Sequence, residues 1–351
     1  MMRNKYQRPA PRQGGERLKT SAMIASIAGA DQPTRAAPFG HALVEAARNH
    51  PEIVGLSADL AKYTDLHVFA KAYPDRFYQM GMAEQLLMGA AAGLAREGFM
   101  PFATTYAVFA SRRAYDFICM AIAEENLNVK IACALPGLTT GYGPSHQATE
   151  DLAIFRGLPN LTIIDPCDAL DIAEAVPAIA AHKGPVYMRL LRGNVPLVLD
   201  KYDYKFELGK AKRIVDGSDV LFISCGLMTM RVLEAAEALA ADKVQAAVLH
   251  VPTIKPLDTE TILAETRKSG RLVVVAENHT VVGGLGEAVA GLLMRNGVSV
   301  PFRQIALPDE FLDAGALPTL HDRYGISTPA VTKAVKNWLR TAAMTGREQP
   351  A

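Results

Sequence analysis

Strand-like and helix-like segments alternate along nearly the whole chain, and this alternation restricts the fold more than any other feature. FGHALVEAARNH (39–50) carries apolar residues at helical spacing. EIVGLSAD (52–59) reads as a short strand that breaks into a polar loop, and DLHVFAKAYPD (65–75) starts at an Asp cap and stops at a Pro. RFYQM (76–80) is strand-like, and AEQLLMGAAAGLAREG (83–98) is a helix with small residues at its centre and a Gly stop. FMPFATTY (99–106), VFASRRAYDFICMAIAEE (108–125) and VKIACAL (129–135) continue as strand, helix and strand, followed by a Gly-rich loop, PGLTTGYGPSH (136–146). Helix ATEDLAIFRG, strand LTIIDP, helix DALDIAEAVPAIAAHK and strand PVYMRLL complete the first half. A polar connector, LDKYDYKFELGKAK (199–212), then separates it from a second round that starts at DVLFISCG and closes with a helix from Thr328 into Trp338. Strands alternating with helices of this size predict parallel sheets covered by helices on both faces. The expectation is two doubly wound α/β domains, at 36–200 and 205–342, behind a basic tail at 1–35.

A length of 351 residues suits about two domains. The balance of 37 Lys and Arg against 36 Asp and Glu leaves net +1, too weak a field to argue for nucleic acid. Residues 1–35 hold seven basic and two acidic residues, net +5, so the remainder is net −4. That head lacks the apolar core of a secretory signal and reads as a flexible tail, or as an Arg-rich transit peptide without a clear amphipathic helix. Within it TSAMIASIAG (20–29) is apolar enough to pack on a partner. The four cysteines lie far apart with no C-x-x-C pair, which argues against a Cys-rich metal site and a disulfide framework and suits a reducing cytoplasm. No apolar run reaches the ~18 residues of a membrane span.

Open α/β sheets bind ligands at the carboxyl ends of their strands. The chain has no G-x-G-x-x-G after a strand, no G-x-x-x-x-G-K-[ST], no H-E-x-x-H, no His pair at metal spacing and no G-x-S-x-G; no metal ligand is assigned. GGLG (283–286) could cradle an anion at a helix start, although tight helix–sheet packing is the more ordinary use of such glycines. Four clusters remain. Glu84 opens a helix among Met, Ala and Leu, where it is either a desolvated carboxyl that bonds a ring nitrogen or an acidic first-turn residue favoured by the helix dipole. Tyr106 and Phe109 stand at a strand-to-helix junction and could stack on a flat heterocycle or simply fill the core. His146 follows Gly141, Gly143 and Pro144 on the loop and could move protons, or be a surface residue. Arg192, at a strand end, could hold a phosphate bidentately or make a surface ion pair. All four fall at the ends of successive strands, where they can converge on one crevice.

Here the residues resemble a known family. GLSADL, FYQMGMAEQ, GPSHQATEDLAIFRGLPN and RLLRGNVP, in this order and spacing, are similar to the C-terminal part of transketolases, over about residues 36–342. The resemblance implies a thiamine-diphosphate-binding fold pyrimidine domain followed by a transketolase C-terminal-like domain. It implies that Glu84 bonds the aminopyrimidine ring of thiamine diphosphate, that Phe109 with Tyr106 forms the aromatic wall beside that ring, and that Asp59 is an acid near the cofactor. By the same resemblance His146 contacts the donor ketose and assists proton transfer, and Arg192 binds the acceptor phosphate. The family's G-D-G…N motif, which holds Mg2+ and the diphosphate, is not found here. The resemblance therefore implies one subunit of a split transketolase in the cytoplasm. Its partner would be an N-terminal transketolase subunit carrying the Mg2+ and diphosphate site, in an α2β2-type assembly or around a homodimer of this chain, with sugar phosphates as substrates.

The chain also departs from the family pattern. Tyr142 stands where many transketolases have an acid that recognises a sugar hydroxyl, an upstream phosphate-contacting His is replaced at Ala134-Leu135, and a Ser is replaced around Lys62-Tyr63-Thr64. These departures imply an unusual substrate, such as the branched sugar of an apulose-phosphate transketolase. The rival readings are a 2-oxo acid dehydrogenase beta-type subunit, which lacks the G-P-S-H-Q loop, a deoxyxylulose-phosphate-synthase-like subunit, resembled at RAYD (113–116) and RGN (192–194), and a non-catalytic partner subunit. His279, in AENH (276–279), is assigned to structure.

Overall fold

The computed structural model describes residues 32–345, so residues 1–31, including the apolar stretch 20–29, lie outside the described residues. In chain order the strands are β1 (Thr34–Ala36), β2 (Ile53–Ser57), β3 (Phe77–Gln79), β4 (Met100–Tyr106), β5 (Lys130–Ala134), β6 (Thr162–Ile164), β7 (Val186–Leu190), β8 (Asn194–Pro196), β9 (Lys212–Val215), β10 (Val220–Ser224), β11 (Ala246–His250), β12 (Thr253–Lys255), β13 (Leu272–Thr280) and β14 (Phe302–Leu307). The helices are α1 (Pro38–Asn49), α2 (His67–Ala72), α3 (Glu84–Arg96), α4 (Tyr115–Phe117), α5 (Asp151–Arg156), α6 (Ala169–Ala181), α7 (Gly226–Ala240), α8 (Thr259–Thr266), α9 (Leu285–Arg295), α10 (Leu317–Arg323) and α11 (Thr328–Thr345).

Among the described residues the strands form two large sheets, in orders β12-β6-β7-β5-β4-β2-β3 and β14-β13-β10-β11-β9, and a two-stranded ribbon of β1 with β8. Within the large sheets the edge strands β12 and β9 run antiparallel to their neighbours and the other pairings are parallel. The doubly wound α/β expectation is borne out. Strands β2, β4, β5, β7, β10 and β11 are buried at every position, as strands covered on both faces must be, and this explains their continuous apolar runs. The helix expected over 108–125 is wound differently: π-helical turns at Phe109–Arg113 and Ile118–Ala123 flank α4. Such widened turns re-aim side chains and recur at functional sites.

Five elements escaped the periodicity: β1 and β8, which pair antiparallel with each other, β9, β12 and α10. The most consequential is β12. It follows β11 of the second sheet in sequence but pairs with β6 at the edge of the first, so the two sheets share an element. Both apolar clusters likewise draw on both sheets; one joins Phe39, Met188 and Ile164 to Phe222, Val248 and Val274.

Buried polar groups reinforce this seam. Arg189, 1% exposed, donates through Nε and Nη2 to Asp151 at 2.9 and 3.1 Å, through Nη1 to Asp165 at 2.8 Å, and through Nη2 to the Asn278 carbonyl at 2.9 Å. The Tyr187 hydroxyl adds a bond to Asp151 at 2.7 Å. Cys167, Asp171 and His250 bring ligand-type atoms within 4.8 Å of one another. Both Asp171 oxygens are engaged there, by the Tyr204 hydroxyl at 2.6 Å, by the Cys167 N–H at 2.7 Å and by His250 Nε2 at 3.0 Å. Hydrogen bonding accounts for this cluster without an ion.

The glycines of GGLG are explained by close packing. A Cβ on Gly284 would stand 1.9 Å from Glu277 Oε2, and one on Gly283 would stand 2.5 Å from the Ala153 Cβ. The helix start does hold an anion, but the anion is the chain's own: Glu277 accepts from Leu285 N–H at 2.6 Å and Gly286 N–H at 2.8 Å. Burial nevertheless pushes its carboxyl up to about 7. His279 is buried and accepts the Ala153 N–H at Nε2, 3.2 Å away, a bond that ties α5 to β13. No helix among the described residues is long and apolar enough to cross a membrane.

Candidate functional site

Parallel strands β2, β4, β5 and β7 end on one rim of the first sheet, and the chemistry-bearing residues gather there. Glu84 is the first residue of α3. Its carboxylate is 2% exposed and receives Nη1 of Arg113 at 2.7 Å through Oε2. Among the described residues Oε1 has no such partner. Arg113 also lies over the ring of Phe109, with Cζ 4.7 Å from the centroid. A guanidinium thus bridges the carboxylate and the aromatic wall, and because it is half exposed it leaves this corner open outward.

Phe109 begins the π-helical turn, and Tyr106 is the last residue of β4; their centroids are 5.8 Å apart. His146 meets both rings edge-on, 5.5 Å from Phe109 and 6.2 Å from Tyr106, and lies 5.4 Å from the Tyr142 ring. Its Nδ1 is 2.9 Å from the Ser145 hydroxyl. Arg192 follows β7 and stacks on Tyr63, with Cζ 5.5 Å from that centroid. Burial raises the Tyr106 hydroxyl above its ordinary pKa; Arg192 opposes that rise while Tyr63 and Tyr142 add to it. Contacts thereby link Glu84, through Arg113, to Phe109, Tyr106, His146 and Tyr142 in one continuous group, while Arg192, just past β7, meets Tyr63. Asp59 stands apart from these contacts: it is exposed just beyond β2, in a left-handed backbone conformation, and its N–H donates to Gln79 Oε1 at 2.6 Å.

Sequence reasoning missed three supports of this site. Arg113 is one, although the pair Arg112-Arg113 beside an aromatic junction was a usable signal. Arg112 is the second: it donates to the carbonyls of Pro144 and Gln147, at 2.9 and 3.3 Å, and pairs with Glu150, bracing the His146 loop from the first domain. Asp65 is the third. It is 1% exposed, and its two oxygens accept the Gly193 N–H at 3.0 and 3.1 Å, which fixes the turn that carries Arg192.

Asp65 also yields a pH prediction. Burial pushes its carboxyl up to about 6 from the ordinary 3.8, against the pull of the Gly193 N–H and Arg192. A raised acid in the folded state means that the unfolded chain gives up its proton first. Stability attributable to Asp65 is therefore present at about pH 4 and is lost as pH rises through about 6, by on the order of 2–3 kcal/mol. Asp65→Asn keeps an oxygen for Gly193 and removes the titration. Its stability relative to wild type should rise between pH 4 and 7 in urea unfolding; a difference independent of pH would refute this account.

Comparisons with known proteins identify the family. Residues 31–198 match the family model for the transketolase pyrimidine binding domain, and residues 209–331 match that for the transketolase C-terminal domain. A transketolase family protein of Sinorhizobium fredii is 73% identical over 97% of this chain and 99% of its own length. A 6-deoxy-6-sulfo-D-fructose transketolase subunit of a Clostridium species is 39% identical over 83% of this chain and 90% of its own. A solved structure described as a split gene transketolase, inactive beta4 tetramer, is 43% identical and superposes with a TM-score of 0.77 over 86% of this chain and 96% of that one. The two matched models lie in succession along the chain, and the chain belongs to the transketolase family.

Proposed function

We propose that this chain is the pyrimidine-domain subunit of a two-chain transketolase that moves a two-carbon ketol unit from a ketose phosphate to an aldose phosphate in the cytoplasm. The observation that carries the reading is Glu84, a buried carboxylate at a helix start, set beside an aromatic wall that also touches a loop histidine.

This donor set fits the aminopyrimidine half of thiamine diphosphate: a desolvated carboxylate with one oxygen unengaged, an adjacent ring, and a half-exposed Arg113 beside both. When bound, the cofactor supplies the nucleophilic carbon that receives and hands on the ketol unit. Glu84 holds a ring N–H and governs its proton, while Arg113 holds Glu84 in place through Oε2. Phe109 and Tyr106 exclude water from that corner. His146, within ring contact of both aromatics, moves the proton of the substrate hydroxyl or carbonyl. Arg192 and Tyr63 take the anionic end of the substrate, and Tyr142 replaces a charge with a neutral hydroxyl where the donor sugar enters. Asp59, exposed just beyond β2 and outside these contacts, is the acid near the cofactor in this reading.

The diphosphate and Mg2+ belong to a partner chain in this reading. Exposed apolar side chains around the helix that Glu84 opens support it: Met82 is 81% exposed and Leu86 56%, and on the segment packed against α3 Phe117 and Met120 are exposed as well. Exposed apolar patches of this kind mark protein interfaces, and an α2β2 assembly would cover this one. The substrate is the specialised sugar of a dedicated pathway, apulose-phosphate-like or, by the name of the Clostridium relative, a sulfonated ketose; a guanidinium donates to the oxygens of either anion.

The test is the complex of this chain with a co-expressed N-terminal subunit, supplied with Mg2+, thiamine diphosphate and an aldose phosphate acceptor and assayed with phosphorylated and sulfonated ketoses and, in parallel, with a 2-oxo acid as donor. Ketol transfer with Arg192→Met raising the acceptor KM about tenfold, as expected for loss of one charge-assisted contact, supports the assignment. Decarboxylating condensation instead of transfer would favour the deoxyxylulose-phosphate-synthase-like reading, and a complex that holds cofactor but turns over no donor would favour the 2-oxo acid or non-catalytic ones.

A further inference from the structure

The loop that carries Tyr142 and His146, residues 136–148, has no strand or helix of its own. A connection of this length held in one shape must take its order from elsewhere. Arg112 and bonds within the loop, such as Gly137 N–H to the Ala148 carbonyl at 2.9 Å, supply part of it, and the carboxy-terminal domain supplies the rest. Asn278, at the end of β13, accepts the Leu138 N–H at 2.9 Å, and His321 Nε2, on α10, donates to the Leu138 carbonyl at 2.7 Å. The Gly315 N–H donates to the Gly141 carbonyl at 2.9 Å. Gly143, left-handed at φ 84°, packs so near Ala314 that an added Cβ would stand 3.3 Å from the Ala314 Cβ.

Gln147 closes the arrangement. It follows His146 directly, is 1% exposed, and its Nε2 donates to the Thr140 carbonyl at 3.2 Å and to the Asp313 carbonyl at 3.1 Å. Two carbonyl acceptors fix which end of the amide points inward. Its Oε1 is buried with no partner. A side chain chosen for stability alone would not leave that oxygen unpaired. A side chain chosen to tie the start of the loop, the residue beside His146 and the other domain at one point has reason to do so.

We propose that the carboxy-terminal domain is the positioner of the His146 loop, with Gln147 as the positioning residue through which it sets where His146 stands. The inference rests on the transketolase reading for its kinetic consequence but not for its structural one. The first site's own brace, Arg112, remains in place in the test.

Gln147→Leu keeps the volume, removes both donated bonds and removes the unpaired oxygen. Its melting temperature should stay within a few degrees of wild type. Hydrogen exchange of the amides in 138–147, measured on the full chain in complex with its partner subunit, should accelerate about tenfold or more. Ketol transfer should fall about 10–100-fold in kcat, as expected for a displaced catalytic group. The same substitution made on top of His146→Ala should cost nothing further, because a group that acts through His146 has nothing left to position. Should Gln147→Leu fold poorly, His321→Phe, which removes the donor to Leu138, carries the same expectations, and His321→Gln should restore them. Unchanged exchange in the loop, or a loss of activity that adds in full to that of His146→Ala, overturns the proposal. A wild-type complex with no ketol transfer would retire the transferase reading, and the exchange rates would then decide for or against the positioning role by themselves.

Discussion

Glu84→Ala is expected to lower ketol transfer by the assembled enzyme about 10³-fold, the range typical of removing a positioned proton-handling group. Glu84 is the buried carboxylate of the rim, 2% exposed and held to Arg113 at 2.7 Å. No neighbouring acid in contact with Phe109 could substitute for it among the described residues. The substitution should leave the fold nearly untouched. Arg113 is half exposed and regains water when its partner goes, so the stability change should stay within about 1 kcal/mol. Glu84→Gln keeps a hydrogen-bonding side chain of the same shape but cannot carry the charge, and it should fall close to Ala in rate. Steady-state kinetics beside thermal melts separate the two effects. A rate within threefold of wild type, with the protein folded, would remove Glu84 from the chemistry and the transketolase mechanism with it.

The second large effect is on stability. Arg189→Met replaces a fully buried guanidinium by an apolar chain of similar length. Its four donated bonds, to Asp151, Asp165 and the Asn278 carbonyl, are lost together. Asp151 and Asp165, both buried, are then left without their cation. Breaking a buried ion pair by removing one partner costs about 3–5 kcal/mol, which corresponds to a fall in melting temperature of about 4–7 °C for a protein of this size. The bond to Asn278 crosses between the domains, so the loss should also loosen the seam that β12 and the Asp171–His250 contact otherwise maintain. A scanning calorimetry profile that splits into two transitions would display that loosening directly, whereas a melting temperature within about 2 °C of wild type would show that the pair contributes little net stability.

Much of the architecture was legible because its signals are local. The runs that became β2, β4, β5, β10 and β13 announce themselves by continuous apolar residues, and α3 by its small-residue centre and Gly stop at Gly98. Glu84, Tyr106, Phe109, His146 and Arg192 each stand at a junction between a strand and the next segment of chain, a place the alternation alone identifies. β12 was not legible, since three residues carry no period and the strand exists only because β6 offers an edge. α10 was missed for a similar reason: Leu317–Arg323 is too short for a helical stripe to stand out. Arg113 was quoted in the sequence without its role, because nothing within its own segment reveals a carboxylate 29 residues upstream.

The residue order by itself determined the kind of sheet, the succession of elements and the rim on which the chemistry could gather. Strand and helix periods, caps and stops are decided by interactions within about one or two turns of chain. Tertiary structure alone decided which groups meet on that rim. The pairings of Leu138 with Asn278 and of Gln147 with Asp313 span 140 and 166 residues, and they form only once both sheets have packed. A local pattern carries no record of such a distance; the chain realises it by burying one apolar interior across two domains and then satisfying, residue by residue, the polar groups that this burial enclosed.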